Sequence, residues 1–314
     1  MEVIPFKKHP VLEDIQFGIG TWAWGDRLFW GYGRSHQAND CREAFTFSLS
    51  AGITFFDTAE VYGQGQSESL LGEFLKTTSQ PVKIATKFMP FPWRLSKAAL
   101  MKALHNSLKR LGVEKIDLYQ IHMPYPFLTV ETWMDALAEA YHSGLIVAAG
   151  VSNYDRGQTQ RAYDELTRQG VSLASNQVEY HLLNRKIERD GLMDLCNGLG
   201  VAIIAYSPLA QGILSGKYTP ENTPPGVRGF RLNRKYLAKI QPLIVELKRA
   251  GADHAGKTPA QVALNWVMCK GAIPIPGVKN LNQAEQNAGC LGWRLTEEEV
   301  HRLGEISDQV VRNE

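Results

Sequence analysis

Short apolar segments and amphipathic helical segments alternate eight times along this chain of 314 residues. The apolar segments, which are rich in strand-forming residues, are Gln16–Gly20, Ile53–Thr58, Val82–Phe88, Ile116–His122, Ile146–Ser152, Leu173–Val178, Val201–Ser207 and Ala272–Pro276. The helical segments are Asn39–Ala51, Ser67–Leu75, Ser96–Arg110, Val130–His142, Arg156–Arg168, Asp190–Leu199, Thr258–Cys269 and Asn280–Ala288. Such alternation is typical of parallel strands joined by crossover helices. The sequence therefore predicts an α/β fold, either closed as a barrel or spread as an open sheet, with a further helix opening at Thr296.

Polar residues at the ends of successive predicted strands favour the closed barrel. Asp57 lies at the end of the second strand, and Tyr62 follows it. Lys87 ends the third strand, and His122 ends the fourth. In a barrel such residues meet at the carboxyl-terminal mouth, where barrel active sites lie, whereas an open sheet spreads them along a line. We predict a (β/α)₈ TIM barrel with extra helices, formed by residues 1–314 as a single domain.

The composition argues against several classes of partner. The net charge is +2, which gives no broad field for holding nucleic acid or an anionic membrane. No segment approaches the roughly 20 apolar residues of a membrane span, and the first residues lack the apolar stretch of a signal peptide. The four cysteines form no C-x-x-C pair. We expect a cytoplasmic protein that contacts neither nucleic acid nor membrane and needs no metal.

Eight short motifs lie at or just beyond the predicted strands. They are Phe56-Asp57-Thr58-Ala59 with Tyr62-Gly63 and Ser67-Glu68, Ala85-Thr86-Lys87, Asp117–His122, Gly150–Tyr154, Asn176–Tyr180, Ala205–Leu209, Gly216–Tyr218 and Ile275–Gly277. Together they resemble the signature of the aldo-keto reductase superfamily, from about Phe17 to the last helix. The bacterial and plant-plastid branch, which includes pyridoxal reductases, is most similar, and potassium-channel β subunits are more distantly similar. The resemblance implies an NADPH-dependent oxidoreductase that reduces aldehydes or ketones to alcohols.

The resemblance also assigns catalytic roles to four residues. Carbonyl reduction needs a hydride from nicotinamide and a proton at oxygen, and Tyr62 matches the proton donor. Tyrosine is a poor acid at neutral pH, because its reference pKa is about 10. Lys87 is placed to lower this pKa, with Asp57 keeping Lys87 charged and oriented. His122 can polarise the carbonyl oxygen or help to move the proton.

A binding site for NADPH follows from the same resemblance. The matching residues are Gly20, Thr21, Trp22, Asp57, Ser152, Asn153, Gln177, Tyr206, Ser207, Leu209, Gln211, Gly212, Lys217, Gly277, Lys279, Gln283 and Asn287. Ser152, Asn153 and Gln177 match the groups that hold the nicotinamide carboxamide. Lys279, near a helix N-terminus, is a suitable partner for the 2′-phosphate. Gln283 stands at a position where the family often has an arginine, which weakens the expected preference for NADPH over NADH.

Three other functions are compatible with parts of the sequence. Gly18-x-Gly20-x-x-Ala23 fits a Rossmann dinucleotide motif, but the helix that should follow is missing. A metal-dependent barrel hydrolase would need several His or acidic ligands at strand ends, and only His122 clearly lies at one. The third alternative is an NADP(H)-binding redox-sensing module with slow incidental turnover. Because all four catalytic positions are filled, we favour the enzyme.

Aromatic and apolar residues are concentrated in three loops at the predicted mouth. They are Trp22, Trp24, Phe29, Trp30 and Tyr32 after the first strand, Met89, Phe91, Pro92 and Trp93 after the third, and Met123, Tyr125 and Phe127 after the fourth. Exposed aromatic clusters tend to mark binding surfaces. We predict an open, aromatic-lined cleft for flat or hydrophobic aldehydes, such as benzaldehyde-like compounds or pyridoxal. Arg94 could hold one substrate carboxylate.

Overall fold

Eight parallel strands form a closed barrel in this computed structural model, which describes residues 9–223 and 232–311. The strands are β1 (Ile19–Gly20), β2 (Phe55–Asp57), β3 (Lys83–Phe88), β4 (Ile116–Ile121), β5 (Ile146–Ser152), β6 (Leu173–Glu179), β7 (Ala202–Tyr206) and β8 (Ile273–Ile275). Each strand pairs in parallel with the next one along the chain. Gly20 then pairs with Gly277 beyond β8, which joins the two edges of the sheet. The predicted (β/α)₈ TIM barrel is confirmed.

Helices connect the strands around the outside of the barrel. They are α1 (Ala38–Ser50), α2 (Gln66–Leu75), α3 (Lys97–Leu111), α4 (Val130–His142), α5 (Arg156–Arg168), α6 (Lys186–Arg189), α7 (Leu192–Leu199), α8 (Arg234–Asp253), α9 (Pro259–Cys269), α10 (Leu281–Ala288) and α11 (Glu297–Val311). Short 3₁₀ helices cover Pro10–Leu12, Tyr62–Gly65 and Ala210–Ser215. Within the described part of the chain, no helix is both long enough and apolar enough to cross a membrane.

Local sequence signals explain where most helices begin and end. Ser96 caps α3 by accepting a hydrogen bond from the backbone of Ala99. Gly112 ends that helix with φ of 68°, a left-handed conformation that glycine adopts without steric cost. Thr258 forms a capping box with Gln261 at the start of α9. Because these signals lie within a few residues of each helix end, the predicted limits are close to the observed ones.

Helix α8 is the long element that the sequence analysis missed. Its buried residues include Leu237, Ile240, Leu243 and Leu247, whose spacing of three and four residues is typical of a helix packed on one face. Pro242 lies inside this pattern and usually signals a helix end, since it lacks a backbone donor. Tertiary packing of the apolar face stabilises the helix despite the proline.

The barrel interior is apolar at its amino-terminal end. The side chains that fill it include Phe55, Ala85, Leu118, Ala148, Ile204 and Ile273. Val11 and Leu12 of the first 3₁₀ helix belong to the same cluster and close this end. Lys83, at the start of β3, holds the segment in place by donating a hydrogen bond to the carbonyl oxygen of Val11. The polar strand ends therefore face only the opposite mouth.

Candidate active site

A buried ion pair lies at the carboxyl-terminal end of β2 and β3. Lys87 Nζ donates hydrogen bonds to Asp57 Oδ1 at 2.5 Å and to the carbonyl oxygen of Thr58 at 2.8 Å. The lysine side chain is fully buried, and that of Asp57 is 2% exposed. A charge pair removed from water is stable only when its remaining polar atoms are also satisfied. Gln177 meets this need by donating to Asp57 Oδ2 at 2.8 Å.

Tyr62 lies beside this ion pair, in the 3₁₀ turn that follows β2. Lys87 Nζ is 5.1 Å from the centre of the Tyr62 ring. The rings of Tyr62 and His122 are 5.7 Å apart and almost perpendicular. Gly63 allows the tight turn, because its φ is 55° and a Cβ there would lie 2.7 Å from the backbone of Gly25. The structure thus brings together the four residues that the sequence analysis selected.

Burial raises the pKa of Tyr62 well above its usual value, and the charge of Asp57 raises it further. From the sequence we expected the opposite, because the Lys87 ammonium was placed to lower this pKa. That prediction is wrong. Asp57 lies 2.5 Å from the ammonium and balances its charge, so removal from water dominates. Tyr62 therefore keeps its phenolic proton at neutral pH.

His122 is neutral in this environment. Burial lowers its pKa to about 3, and the nearby Lys87 ammonium contributes to the decrease. Its Nδ1 is buried and has no hydrogen-bond partner among residues 9–223 and 232–311. A buried polar atom without a partner is costly and often marks a position that a ligand occupies. The imidazole is therefore available for a hydrogen bond with a group that enters the mouth.

The predicted nicotinamide contacts lie together at the ends of β5, β6 and β7. Ser152 Oγ donates to the carbonyl oxygen of Gln177 at 2.9 Å. Asn153 has φ of 62°, and its side-chain amide donates to the carbonyl oxygen of His122 at 3.1 Å. Tyr206 OH donates to Asn153 Oδ1 at 2.9 Å. These hydrogen bonds connect one side of the mouth to His122 on the other.

The loop after β7 holds an unusual backbone conformation. Ser207, Ala210 and Gln211 have φ values of 50°, 48° and 54°, and Gly212 has φ of 90°. Non-glycine residues seldom adopt positive φ, and such strain concentrates at ligand-binding loops. A Cβ on Gly212 would lie 3.3 Å from Lys217 Nζ, so the lysine head group lies beside this loop. Leu209, the residue that precedes the 3₁₀ helix, is also part of the predicted site.

The predicted contacts from β1 differ in their exposure. Position 20 has no room for a side chain, because a Cβ on Gly20 would lie 2.8 Å from the carbonyl oxygen of Ile275. Thr21 is fully buried, and its backbone N–H and its hydroxyl both donate to the carbonyl oxygen of Asp57. Trp22 is 37% exposed at the rim. Of these three residues, Trp22 is the one whose side chain can reach a molecule in the mouth.

Lys279 lies near the N-terminus of α10, as predicted. Its Nζ donates to the carbonyl oxygen of Trp30 at 2.7 Å and lies 5.0 Å from the centre of that ring. Its backbone N–H donates to Gln283 Oε1 at 2.9 Å. Asn287 is buried on the same helix, whereas Gly277 is exposed beyond β8. Lys279 therefore ties the loop after β1 to the predicted adenosine end of the site.

Aromatic side chains stack in two of the three loops named for the predicted cleft, and we call these rings the aromatic wall. Trp22 stacks on Phe29 at 5.2 Å between ring centres and lies 5.9 Å from Tyr62. Phe91 and Trp93 stack at 4.8 Å in the loop after β3. The aromatic-lined cleft itself stays a prediction.

Two residues assigned to the cleft have structural roles instead. Trp24 is fully buried, and its indole N–H donates to the carbonyl oxygen of Val278, so it belongs to the core. Arg94 forms a two-bond ion pair with Glu60, at 2.8 and 3.0 Å. Glu60 Oε1 also accepts from the backbone N–H of Met89. The expectation that Arg94 could hold a substrate carboxylate is wrong, because Glu60 already occupies that guanidinium.

Two buried polar residues near the ion pair belong to the quoted motifs but were not predicted as site residues. Glu68 accepts hydrogen bonds from Thr86 Oγ1 and Arg110 Nε, both at 2.6 Å. Gln120 Nε2 donates to Asp57 Oδ2 at 3.4 Å. Strand alternation gave a signal for Gln120, since residues two apart on a strand share a face and Gln120 lies two before His122.

The profile of the Aldo/keto reductase family matches residues 16–308. The chain therefore belongs to this family of oxidoreductases, whose members act on small-molecule carbonyl substrates with NADPH as cofactor. A pyridoxal reductase from Arabidopsis thaliana, named as chloroplastic, is 41% identical over 300 residues. That match covers 91% of this chain and 81% of the relative.

Solved structures of similar proteins agree with this assignment. A glycerol dehydrogenase from Gluconobacter oxydans has a TM-score of 0.84 and 26% identity, covering 99% of this chain and 98% of its own. An aldo/keto reductase from Klebsiella pneumoniae, solved with NADP and acetate, has a TM-score of 0.71 and 28% identity. It covers 93% of this chain and 91% of its own.

The fold and the family argue against two of the three alternative functions. No helix follows the Gly18-x-Gly20-x-x-Ala23 segment directly, since α1 begins at Ala38, so this segment is not a Rossmann phosphate loop. Among residues 9–223 and 232–311, no group of three or more His, Cys, Asp or Glu side chains could hold a metal ion. The family assignment, rather than this absence, argues against the metal-dependent hydrolase.

Proposed function

We propose that this protein is an NADPH-dependent reductase that converts aldehydes or ketones to alcohols, with Tyr62 as proton donor. One observation carries the proposal: Tyr62 lies at the mouth between the neutral His122 and the buried Lys87–Asp57 pair. A protonated phenol, a neutral imidazole and a balanced ion pair are the groups needed to protonate an oxygen that gains charge.

The residues around the mouth fit a nicotinamide cofactor. When bound, NADPH supplies the hydride for the carbonyl carbon. Asn153 and Gln177 provide amide groups for the carboxamide, and Ser207, Gln211 and the rest of the strained β7 loop suit a pyrophosphate. We assign the other predicted contacts, including Tyr206, Lys217 and Asn287, to the same cofactor site. Lys279 is the cation that we assign to the 2′-phosphate.

The raised pKa keeps the Tyr62 phenol protonated at neutral pH but makes it a weaker acid, so proton donation depends on stabilising the phenolate as it forms. The phenol stays protonated until negative charge develops on the substrate oxygen, which then takes the proton. The phenolate left behind lies next to Lys87, whose ammonium stabilises it more than it stabilises the neutral phenol. His122, kept neutral by burial, can hold the substrate oxygen through a hydrogen bond.

The aromatic wall supports flat or hydrophobic aldehydes as substrates, with pyridoxal as one candidate. Trp22, Phe29 and Trp93 are exposed at the rim, where ring stacking can hold a planar substrate. The Arabidopsis relative carries the name pyridoxal reductase, which supports the same class. Because the Arg94 guanidinium is already paired with Glu60, this loop does not favour strongly acidic substrates. A cytoplasmic location stays a prediction, since that relative is named as chloroplastic.

The test is the rate of NADPH oxidation with an aromatic aldehyde, pyridoxal, a short aliphatic aldehyde and a sugar aldose. We expect the first two to have the highest kcat/KM. A preference for the aldose would contradict the substrate class while leaving the reductase intact. No turnover with any carbonyl would overturn the proposed function and favour a binding module that senses the nucleotide.

Lys279→Ala should weaken the binding of NADPH about tenfold and the binding of NADH little. Equal losses of affinity for the two cofactors would place Lys279 away from the 2′-phosphate.

A further inference from the structure

Gln120 lies in the same layer of the barrel as Lys87. In the register of the sheet, Gln120 of β4 pairs with Lys87 on one side and with Gly150 of β5 on the other. Paired residues on neighbouring strands point to the same face, so the Gln120 side chain enters the barrel beside the lysine. It is fully buried and donates from Nε2 to Asp57 Oδ2. Gln120 thus supports the ion pair from the inside of the barrel.

The neighbouring residues are shaped around this glutamine. A Cβ at Gly150 would lie 2.6 Å from Ser175 Oγ and 2.9 Å from Gln120 Cγ, so only glycine leaves room for both side chains. Ser175 Oγ donates to Gln120 Oε1 at 3.5 Å. This contact occupies the amide oxygen and leaves the amide N–H groups directed toward Asp57. The glutamine is therefore held with its donor on the carboxylate.

Two amides donate to one carboxylate oxygen. Gln177 Nε2 lies 2.8 Å from Asp57 Oδ2, and Gln120 Nε2 lies 3.4 Å from the same atom. Gln177 is at the end of β6, where the mouth opens, and it is one of the residues assigned to the nicotinamide carboxamide. Gln120 is enclosed below it. One donor is thus placed to change partners when a ligand enters, and the other is not.

We propose that Gln120 is a positioning residue that keeps Asp57 hydrogen-bonded and aligned on Lys87 when Gln177 turns to the nicotinamide carboxamide. The inference rests on the proposed function, because it requires that NADPH binds at this mouth. A buried carboxylate oxygen without a donor is strongly unfavourable. When Gln177 leaves Asp57 Oδ2, Gln120 Nε2 shortens its own hydrogen bond to that oxygen, so cofactor binding does not leave the oxygen without a donor. Without Gln120, the penalty would appear as weaker binding of the cofactor.

The first test is a fluorescence titration of NADPH against the intrinsic tryptophans, which needs no carbonyl substrate. Gln120→Met keeps the length of the side chain but removes the amide, and we expect it to weaken NADPH about tenfold. Ser175→Ala is the comparison variant in the same layer: it removes the contact that orients the amide but keeps the Gln120 donor, so it should weaken NADPH binding by less than Gln120→Met does. A merely structural role for Gln120 would lower stability but leave the affinity of the folded protein unchanged.

The second test is a double-mutant cycle on the melting temperature of the cofactor-free protein, with Gln120→Met, Gln177→Met and both together. Each single variant leaves one donor on Asp57, so we expect small decreases and a double variant that loses clearly more than their sum. Additive decreases would overturn the shared role of the two amides. If the double variant does not fold, the NADPH titration of Gln120→Met still decides the inference.

The outcomes separate the inference from the proposed function. Failure of the wild-type protein to bind NADPH would overturn the proposed function and this inference with it. Wild-type binding, together with an unchanged NADPH affinity in Gln120→Met, would overturn the inference alone. Weaker NADPH binding in Gln120→Met, with a smaller loss or none in Ser175→Ala, supports both.

Discussion

The two ends of the barrel interior are filled by opposite kinds of side chain. At the amino-terminal end, Leu118 and Ile273 pack against Leu12 in an apolar cluster. At the carboxyl-terminal mouth, Asp57 and Lys87 are just as buried but carry opposite charges. Burial at the first end stabilises the fold through the hydrophobic effect, whereas burial at the second removes charges from water and lowers the pKa of Lys87. The barrel thus separates the residues that stabilise the fold from the residues of the candidate site along its axis.

Strand β4 shows this change within one element. Leu118, Gln120 and His122 are two residues apart and share a face by strand alternation. Leu118 belongs to the apolar cluster, Gln120 contacts Asp57, and His122 stands beside Tyr62. Substitutions at the two ends should therefore affect different measurements.

The largest effect is expected at the mouth, for Tyr62→Phe. Phenylalanine keeps the ring but has no proton to give, so carbonyl reduction should fall by about a thousandfold. NADPH affinity and melting temperature should stay close to wild type, because the change removes one oxygen at the rim of the site. Steady-state kinetics and a cofactor titration check this together. Turnover within a few-fold of wild type would show that Tyr62 is not the proton donor.

Lys87→Met should affect both activity and stability, unlike any change at the apolar end. The phenolate of Tyr62 loses its nearest cation, so kcat should fall by about a hundredfold. The variant also leaves Asp57 buried without its partner, which should cost about 3–5 kcal/mol of unfolding free energy. Urea unfolding measures this cost.

The control for Lys87→Met is the double variant with Asp57→Asn, which removes the unpaired charge. It should recover much of the stability and none of the activity. Recovery of both would mean that Lys87 acts on the fold and not on the reaction.

Leu118→Ala should show the opposite pattern. The cavity left in the apolar cluster should cost about 2–5 kcal/mol of unfolding free energy. The kcat and KM of the folded fraction should stay within about twofold of wild type, since the polar layer lies between this cluster and the mouth. Kinetics measured well below the melting temperature test the separation. A large loss of kcat there would show that the two ends of the barrel are coupled.

The smallest effect concerns the pH dependence of stability. The pKa of His122 is about 3 in the folded protein, and a histidine in the unfolded chain has a pKa of about 6.5. As the pH falls below about 6.5, the unfolded chain binds a proton that the folded protein does not, so the folded state loses stability. His122→Asn lacks this loss.

Between pH 7 and pH 5, the melting temperature of the wild type should therefore fall relative to that of His122→Asn. A difference that stays constant over this range would contradict the low pKa of His122. Tyr62 adds no change in this window, because its pKa is raised from a value that is already far above it.

Much of the fold was predictable because its signals are local. Strand alternation and helix caps such as Ser96 and Thr258 act over a few residues, so the sequence located all eight strands and most helices. The predicted ends of β1, β2 and β8 were too long, because ladder hydrogen bonds depend on the neighbouring strands. Helix α8 was missed because the local signal of Pro242 opposes a packing pattern that only the folded chain satisfies.

The candidate site divides in the same way. Residue order along the chain is enough to predict which residues meet, since parallel strands in a barrel bring Asp57, Lys87 and His122 to one mouth. The electrostatics of these residues depend on the folded structure. The pKa of Tyr62 depends on burial and on how closely Asp57 balances Lys87, and Arg94 pairs with Glu60 from 34 positions away. Such terms vary with distances of a few ångströms, which residue order along the chain does not contain.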